Sequence, residues 1–431
     1  MKKTISGIRG IYGSDLTLDH IKQYCTTFCT MIPKNNCVVG LDTRPSGRDI
    51  HDVVCSTLSN MGIAVYDLGM VPTPVVFRES RKFGAGIMIT SSHNPISWNG
   101  LKFILEGRGI NSTELDVLLN DTNKTSTFVG NIQSIHSDYV NQVIDLVGHV
   151  ENKCKVVIDI GGGAARYVAP ELFKKINCDV SVINETIETS SRGPDPTTDK
   201  LTDLLNHSKT HDIGFAFDLD ADRLIVAKDG KKLSPDMTLG LGVSKSLQLG
   251  NKKFVLSLDT SISIEKFLVD NGATVWRSPV GEANVVDSIL KHGAQSGGEG
   301  SSAGFILSSF NNCRDGLLTA GLITSIIDTS TFNDIVSTME NYYQIRTKIN
   351  VDSNLHDTVL SAISEDLSSA SSEIITIDGV KAIFDEDSWV LVRPSNTEDA
   401  IRISCESTSL EKVSSIANET VNLVNKYVEQ Y

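Results

Sequence analysis

Gly214-Phe-Ala-Phe217, followed directly by Asp218-Leu-Asp-Ala-Asp-Arg223, is the stretch that decides the fold. A short apolar run that ends abruptly in a polar loop is typical of a buried strand in a parallel or mixed sheet. In open α/β sheets, ligands bind beyond the carboxyl ends of the strands. The loop that begins at Asp218 is therefore a candidate site of chemistry.

The same arrangement occurs three times along the chain. Three apolar runs lead into an aspartate, at residues 38–42, 156–159 and 255–259. Each run is followed by a helical pattern, a second strand candidate and a third strand candidate. The third strand candidates are residues 86–89, 214–217 and 293–296, and the loops after them are residues 90–95, 218–223 and 297–301. Three α/β units of this kind predict three loops that converge on one cleft.

The pattern changes after about residue 345. Short strands with a hairpin turn at Asp378-Gly379, and then one amphipathic helix, predict a C-terminal α+β domain. We therefore expect three similar α/β domains with mixed sheets, followed by an α+β domain, around a central cleft. The predicted domains are residues 1–145, 146–246, 247–343 and 344–431. Residues 190–199 and 344–353 are the candidate connecting segments.

Composition excludes several classes of protein. The chain has 431 residues and a net charge of −14, which repels phosphate backbones and argues against a nucleic-acid partner. The longest nearly apolar run, residues 317–327, is too short to span a bilayer. The eight cysteines show no metal-ligand spacing, and the first residues lack the apolar core of a signal peptide. We expect a cytoplasmic protein without a membrane partner.

Asp218, Asp220 and Asp222 place a carboxylate at every second residue, and alternate side chains converge if the loop turns gently. Three hard oxygen ligands suit Mg²⁺. A calcium loop does not fit, because Arg223 stands at its glycine position and Asp229 at its final glutamate position. The other interpretation is a solvated acidic turn. We expect magnesium binding here.

Three further loops carry polar groups. Residues 91–94 offer hydroxyls beside an imidazole and an amide, although the same residues are ordinary turn formers. Residues 393–397 combine a guanidinium, hydroxyls and an amide, which suits a tetrahedral dianion, and the alternative is a polar hairpin corner. Residues 297–301 offer Glu299 and Ser301 to sugar hydroxyls, and the alternative is a flexible glycine turn.

Together and in order, these four loops resemble those of the α-D-phosphohexomutase family. The resemblance runs from residue 6 to about residue 406, nearly the whole chain. Its motifs are Ser6-Gly-Ile-Arg-Gly10, residues 90–95 with Asn99, Gly100 and Lys102, residues 218–223, residues 298–301 and residues 393–397. The resemblance implies an intramolecular phosphotransferase that interconverts hexose 6-phosphate and hexose 1-phosphate through a phosphoserine and a 1,6-bisphosphate.

The resemblance also implies a role for each loop. Ser92 would carry the phosphoryl group. The Mg²⁺ ligands would be Asp218, Asp220, Asp222 and the phosphate on Ser92. The residues around the transferring group would be Arg9, Lys102, His93, Asn94 and Arg223. The residues that hold the sugar hydroxyls and the other phosphate would be Glu299, Ser301, Arg393, Ser395, Asn396 and Thr397. A glucose or glucosamine 1,6-bisphosphate would serve as primer.

The chain departs from the family pattern at three points. Ser302-Ala303 stand where many members have Gly-His, Ser91 adds a second hydroxyl beside Ser92, and the start lacks the usual Phe-Gly-Thr. The sequences of residues 98–102 and 297–300 are most similar to those of family members that act on glucosamine phosphate. Mannose or glucose phosphate is the alternative substrate. The small-molecule partner is then a phosphosugar, and the protein would be a monomer or homodimer.

Two rival functions differ in mechanism. A Mg²⁺-dependent sugar phosphatase would form an aspartyl phosphate at Asp218, but its usual Asp-x-Asp-x-Thr/Ser signature is broken by Asp222. A sugar-phosphate-binding protein without enzymatic activity would not need the Ser92 hydroxyl.

Overall fold

The computed structural model describes residues 1–120, 126–150, 153–395 and 399–430. Its strands form four sheets, which follow one another along the chain. Of the helices in these ranges, none is long and apolar enough to cross a membrane.

The first sheet has the order β1-β2-β6-β5-β3-β4-β8, with β7 paired to β6. Its strands are β1 (Lys2–Thr4), β2 (Gly7–Ile11), β3 (Asn36–Leu41), β4 (Ala64–Met70), β5 (Ala85–Ile89), β6 (Trp98–Leu105), β7 (Arg108–Gly109) and β8 (Ile132–Ser134). The helices of this part are α1 (Leu18–Cys29), α2 (Gly47–Asn60), α3 (Thr73–Phe83) and α4 (Ser112–Leu119), whereas α5 (Tyr139–Val147), which follows β8, packs into the core of the parts described next. This part has its own apolar core, around Phe28 and Ile87.

The second sheet has the order β10-β9-β11-β12-β13. Its elements are β9 (Cys154–Asp159), α6 (Ala165–Lys175), β10 (Cys178–Ile183), α7 (Thr202–Ser208), β11 (Ile213–Phe217), β12 (Leu224–Lys228) and β13 (Lys231–Lys232). Residues 190–199, one of the candidate connecting segments, lie between β10 and α7.

The third sheet has the order β15-β14-β16-β17. Its elements are α8 (Pro235–Gln248), β14 (Lys253–Ser257), α9 (Ile262–Asp270), β15 (Thr274–Ser278), α10 (Glu282–His292), β16 (Ser296–Glu299), β17 (Gly304–Leu307), α11 (Gly316–Thr324) and α12 (Ser330–Met339). One apolar cluster runs through both the second and third parts and includes Phe215 and Phe305. These two parts therefore share a core.

The first three sheets repeat one topology, which confirms the three similar α/β units. The central strands β3, β9 and β14 pair in parallel with β4, β10 and β15 on one side. On the other side they pair in parallel with β5, β11 and β16. These last three strands each turn back into an antiparallel partner, β6, β12 and β17. The loops at this reversal correspond to the three predicted from sequence, although the third begins only after Glu299.

The fourth sheet is antiparallel, with the order β18-β22-β21-β20-β19. Its elements are β18 (Tyr343–Asn350), a 3₁₀ turn (Ser353–Leu355), α13 (His356–Ala370), β19 (Glu373–Ile375), β20 (Val380–Asp385), β21 (Ser388–Pro394), β22 (Ala400–Ser407) and α14 (Leu410–Gln430). The α+β character expected of this part is confirmed. Gly379, with a φ of 73°, forms the turn between β19 and β20, as the Asp378-Gly379 signal predicts.

Two local expectations were wrong. Residues 344–350, interpreted as part of a connecting segment, belong to β18, whose side chains are mostly exposed or half-buried because it is an edge strand. Residues 293–295 precede the strand that was expected there, and Gly297, Gly298 and Glu299 are inside β16. A Cβ on Gly297 would lie 2.1 Å from the Val255 carbonyl oxygen, so glycine is required there by close strand packing.

The third and fourth sheets are joined by a specific contact. Lys381 on β20 donates to the Leu258 carbonyl at 2.7 Å and lies over the Trp389 ring, 4.0 Å from its centroid. The Trp389 indole donates to Glu406 at 3.0 Å, and the same carboxylate oxygen accepts the Ile262 N–H at the start of α9. These polar contacts lie beside a small buried cluster that contains Leu258 and Trp389.

Candidate active site

The loop between β11 and β12 brings three carboxylates together. Asp218, Asp220 and Asp222 are fully buried, and one oxygen of each lies within 4.8 Å of the others. Ala221 has a φ of 54°, so the chain passes through the left-handed region as it reverses into β12. The alternate aspartates thus converge as their spacing predicts. We call these three residues the carboxylate cluster.

Neighbouring donors fix the orientation of the carboxylate cluster. Lys102 on β6 donates to Asp220 Oδ2 and Asp222 Oδ2, both at 2.7 Å. Thr73, the first residue of α3, donates to Asp220 Oδ2 at 2.5 Å. Asp220 Oδ1 and Asp222 Oδ1 are buried and have no hydrogen-bond partner among the described residues. Buried oxygens without donors are costly unless a cation satisfies them, so this donor set fits a hard divalent ion.

Opposite charges around the cluster stabilise one another. Burial disfavours the Lys102 ammonium, but the carboxylates of Asp220 and Asp222 outweigh burial and raise the pKa of Lys102 above its ordinary value. Burial likewise disfavours the Asp222 carboxylate, yet Arg314 and Lys102 hold the pKa of Asp222 well below its ordinary value. Lys102 is therefore a fixed positive charge in this arrangement.

The loop after β5 places one serine against the cluster. The Ser92 hydroxyl donates to Asp218 Oδ2 at 2.7 Å, whereas the Ser91 hydroxyl turns away and donates to Asn94 Oδ1 at 3.2 Å. Ser92 is fully buried and has a φ of 49°. Its N–H donates to the Thr90 hydroxyl at 2.8 Å, which fixes the turn. The structure thus separates the two adjacent hydroxyls that the sequence leaves ambiguous.

Arg44 holds the loop after β5 in place, and the sequence analysis did not identify it. Its guanidinium donates to the carbonyl oxygens of Ser92 and Asn94 at 2.6 and 2.7 Å and pairs with Asp42 at 3.2 Å. Asp42 also accepts the Thr90 hydroxyl at 2.6 Å. The available signal was position, since Arg44 lies just beyond the end of β3, at the same sheet edge as the other loops.

Arg9 and Arg223 add positive charge near His93 and Asn94. Arg9 on β2 donates to Asn94 Oδ1 at 3.4 Å, and Arg223 Nη2 lies 3.5 Å from His93 Nε2. Burial, then the charges of Arg223 and Arg9, lower the pKa of His93 well below its ordinary value. The imidazole is therefore neutral near pH 7. Local cations thus gather at this edge although the chain as a whole carries a net charge of −14.

The third loop joins the site through an arginine that sequence reasoning also missed. Glu299, the last residue of β16, accepts a 3.0 Å bond from Arg314 Nη1, and Arg314 Nη2 donates to Asp222 Oδ2 at 2.9 Å. Burial raises the pKa of Glu299, and the charge of Arg314 opposes this rise. Burial raises the pKa of Asp259, but Arg346 and Arg393, with smaller help from Ser257 and Ser301, lower it below its ordinary value. Glu299 is thus linked to the carboxylate cluster, whereas Ser301 lies near a different carboxylate.

The loop after β21 lies on the fourth sheet. Arg393 is buried on β21, and Ser395 Oγ accepts a 3.1 Å bond from Arg402 Nε. The charge of Arg393, after that of Arg346, helps to lower the pKa of Asp259 against the effect of burial, and the same carboxyl is influenced by Ser301. Asn396 and Thr397, the other two predicted residues of this loop, lie outside the described residues.

Comparison with known protein families agrees with this geometry. Phosphoglucomutase/phosphomannomutase alpha/beta/alpha domains I, II and III match residues 1–127, 136–231 and 234–343, and the C-terminal domain matches residues 350–423. The chain belongs to the phosphoglucomutase/phosphomannomutase family. The four matches follow the order of the four sheets.

Relatives in this family align over nearly the full chain. A "Probable phosphoglucosamine mutase" of Methanothermobacter thermautotrophicus is 32% identical and the alignment covers 96% of each chain. A "Phosphoglucomutase/phosphomannomutase" of Thermococcus kodakarensis is 30% identical, covering 98% of this chain and 97% of the relative. A crystal structure of a phosphoglucomutase/phosphomannomutase family protein from Burkholderia thailandensis shares the fold, with a TM-score of 0.83, 24% identity and coverage of 98% and 96%.

Ala303, which stands where many phosphoglucomutase/phosphomannomutase family members have histidine, packs in an apolar cluster. It is buried, has a φ of 53°, and shares this cluster with Leu201, Ala216 and Ile225 of the second part. The first three loops therefore each contain one non-glycine residue with φ near 50°, namely Ser92, Ala221 and Ala303. The cation nearest Glu299 comes instead from Arg314.

Proposed function

We propose that the protein is a phosphohexomutase that interconverts the 6-phosphate and 1-phosphate of a hexose, with glucosamine phosphate as the preferred substrate. The observation that carries this proposal is the 2.7 Å bond from Ser92 Oγ to Asp218, inside a carboxylate cluster with two unpartnered oxygens. A buried hydroxyl beside a metal-binding set is the arrangement that a reversible phosphoryl carrier requires. The names of the phosphoglucosamine mutase relatives support glucosamine, and the Thermococcus relative supports mannose or glucose phosphate as the second candidate.

Asp218, Asp220 and Asp222 would hold Mg²⁺, with the phosphate on Ser92 as a further ligand. The ion would offset negative charge on the moving phosphoryl group. Lys102 and Thr73 both donate to Asp220 Oδ2, and Lys102 also donates to Asp222 Oδ2. Asp220 Oδ1 and Asp222 Oδ1 would therefore be the atoms that bind the ion. A glucose or glucosamine 1,6-bisphosphate would load Ser92 at the start.

The residues around Ser92 would position and neutralise the phosphoryl group. Arg9 and Lys102 approach the serine loop and the carboxylate cluster, where their positive charges favour a dianion. His93 and Asn94 shape the loop, and Arg223 lies against His93. Because Lys102 is held by two carboxylates, it would act as a cation and not as the proton acceptor while those bonds persist.

The opposite end of the sugar would be held by the third and fourth parts. Glu299 and Ser301 would bind hydroxyls, and the phosphate that is not reacting would be held by Arg393, Ser395, Asn396 and Thr397. The bisphosphate would turn around, so that either phosphate meets Ser92. We propose that the four domains are residues 1–145, 146–246, 247–343 and 344–431, in a cytoplasmic monomer or homodimer.

Substrate preference is tested by comparing kcat/KM for glucosamine, glucose and mannose phosphates, each primed with the matching 1,6-bisphosphate. We expect the value for glucosamine phosphate to be at least about tenfold higher, which is a free-energy difference of about 1.4 kcal/mol between transition states. A higher value for mannose or glucose phosphate would transfer the assignment to the second candidate.

The phosphoryl carrier is tested with two adjacent variants. Ser92→Ala should abolish turnover and remove the single phosphate seen by intact-mass measurement, because its hydroxyl contacts Asp218. Ser91→Ala is the matched control and should keep both, because its hydroxyl bonds only to Asn94. Net phosphate release without a phosphate on Ser92 would favour the phosphatase. Full biological activity in Ser92→Ala would favour a binding protein.

A further inference from the structure

Arg314 lies in the segment between β17 and α11, outside every motif that the sequence singles out. It is buried, and its guanidinium contacts carboxylates from three different elements. Nη2 donates to Asp222 Oδ2 at 2.9 Å, and Nη1 donates to Glu299 Oε2 at 3.0 Å. Glu282, the first residue of α10, forms an ion pair with Arg314 Nε at 3.0 Å. The side chain thus joins the aspartate loop, the end of β16 and the start of α10.

The backbone is shaped to admit this side chain. A Cβ on Gly304, at the start of β17, would lie 2.1 Å from Arg314 Cδ, so a larger residue there would displace the arginine stem. The Arg314 N–H also donates to Glu282 at 3.0 Å, so the same carboxylate fixes both the main chain and the side chain. A planar guanidinium held in this way by Glu282 orients the carboxylates of Asp222 and Glu299 relative to each other.

The contact with Asp222 decides which of its oxygens is available. Arg314 and Lys102 both donate to Asp222 Oδ2, and Oδ1 has no hydrogen-bond partner within the described ranges. Lys102 is shared with Asp220, whereas Arg314 contacts Asp222 alone in the carboxylate cluster. Partners that orient a metal ligand typically change metal affinity by about 10–100-fold when removed.

We propose that Arg314 is a positioning residue that couples Glu299 in the sugar loop to Asp222 in the metal loop. The proposal rests on the proposed function, because it assigns a metal to the carboxylate cluster and sugar contacts to Glu299. In this arrangement a change at Glu299 alters the hydrogen bond from Arg314 to Asp222. Metal binding and the state of the sugar loop are then energetically linked through one side chain.

The test measures binding of Mn²⁺, used as a spectroscopic probe for the magnesium site, to the purified full-length chain by electron paramagnetic resonance. Arg314→Met should weaken Mn²⁺ binding by about tenfold or more. Arg314→Lys keeps the positive charge but cannot donate to both carboxylates in the same planar geometry, so it should give a smaller loss of affinity. Glu299→Gln alone should weaken binding by about threefold, because it removes the negative charge that holds one side of the Arg314 guanidinium.

The double variant Glu299→Gln/Arg314→Met separates coupling from simple structural damage. If Arg314 transmits the effect, the double variant should bind Mn²⁺ as Arg314→Met does, since the change at Glu299 no longer reaches Asp222. Additive losses in the double variant would overturn the proposal. Equal Mn²⁺ affinity in Arg314→Met and the unaltered chain would overturn it as well.

Arg108→Met is the matched control for loss of an arginine ion pair. Arg108 pairs with Glu114 through its two terminal guanidinium nitrogens, at 2.7 and 2.8 Å, and neither side chain has a hydrogen bond or ion pair with the carboxylate cluster among the described residues. Its removal should leave Mn²⁺ affinity unchanged. If the unaltered chain binds no Mn²⁺, the metal site of the proposed function fails. If it binds Mn²⁺ and the variants do not differ from it, only the role of Arg314 fails.

Discussion

Two buried lysines show how the carboxylate cluster differs from the contact between the third and fourth sheets. Lys102 lies 2.7 Å from two carboxylates, and they raise its pKa against the effect of burial. Lys381 contacts a backbone carbonyl and the Trp389 ring, and burial lowers its pKa to about 7. Burial is common to both, so the partner decides the charge state of a buried lysine.

The largest effect is expected from Lys102→Met. Removal of this cation leaves Asp220 and Asp222 with fewer donors in a buried site, which typically costs about 3–5 kcal/mol of unfolding free energy. Turnover should fall by about 10²–10³-fold, because a preorganised charge is lost. Thermal unfolding and the phosphosugar assay measure the two effects separately.

Lys266→Met is the control for Lys102→Met. Lys266 lies at the same 2.7 Å from Asp387, but both side chains are about one-third exposed, at 35% and 30%. Its loss should cost less than about 1 kcal/mol. Equal destabilisation by the two variants would contradict the contrast between a buried and an exposed ion pair.

An effect of similar size on stability, but without loss of metal binding, is expected from Trp389→Ala. The Trp389 side chain is buried between the third and fourth sheets and donates to Glu406. Truncation should therefore lower the free energy of unfolding of the fourth sheet by about 3–5 kcal/mol. Mn²⁺ affinity should not change, because the carboxylate cluster is built from other elements. Loss of Mn²⁺ binding in a chain that remains folded would show that the two regions are not independent.

The dependence of stability on pH is expected to reflect Lys381. Its pKa is about 7 in the folded chain against an ordinary 10.5, so between these values the unfolded chain binds more protons. The free energy of unfolding should therefore rise with pH from about 7 to about 10.5, and the destabilisation is complete below pH 7. The charged groups that act on Lys381 are Arg277, which lowers its pKa further, and Glu406, Glu265 and Asp259, which oppose this.

Lys381→Met removes the titrating group while keeping an apolar stem over Trp389. The melting temperature of this variant should depend less on pH between 7 and 10 than that of the unaltered chain, and the variant should gain most at the lower pH. A parallel pH dependence in both proteins would mean that Lys381 does not contribute.

Much of the site could be predicted from sequence because its loops follow apolar strands. Asp218 comes directly after β11 and Ser92 shortly after β5, and both strands are buried along their whole length. Repetition of the same unit then indicated that the loops share one edge. Sequence spacing alone was enough to bring the carboxylate cluster together.

The residues that orient this cluster could not be predicted in the same way. Thr73 begins a helix and Arg314 lies in an irregular segment, so neither belongs to a periodic pattern. They meet the aspartates only because separate parts of the chain pack together. The strand β18 was missed for a different reason, since an edge strand with exposed and half-buried side chains lacks the buried apolar run that identifies the others.

The φ of 49° at Ser92 has a consequence for which alcohol can occupy this position. Serine and threonine are equally able to form a phosphate ester, but a β-branched side chain in the left-handed region is strained. Alanine at position 92 should preserve the loop and threonine should distort it. Ser92→Thr is therefore expected to lose phosphate transfer despite retaining a hydroxyl, so backbone conformation restricts this site to one of two chemically equivalent alcohols.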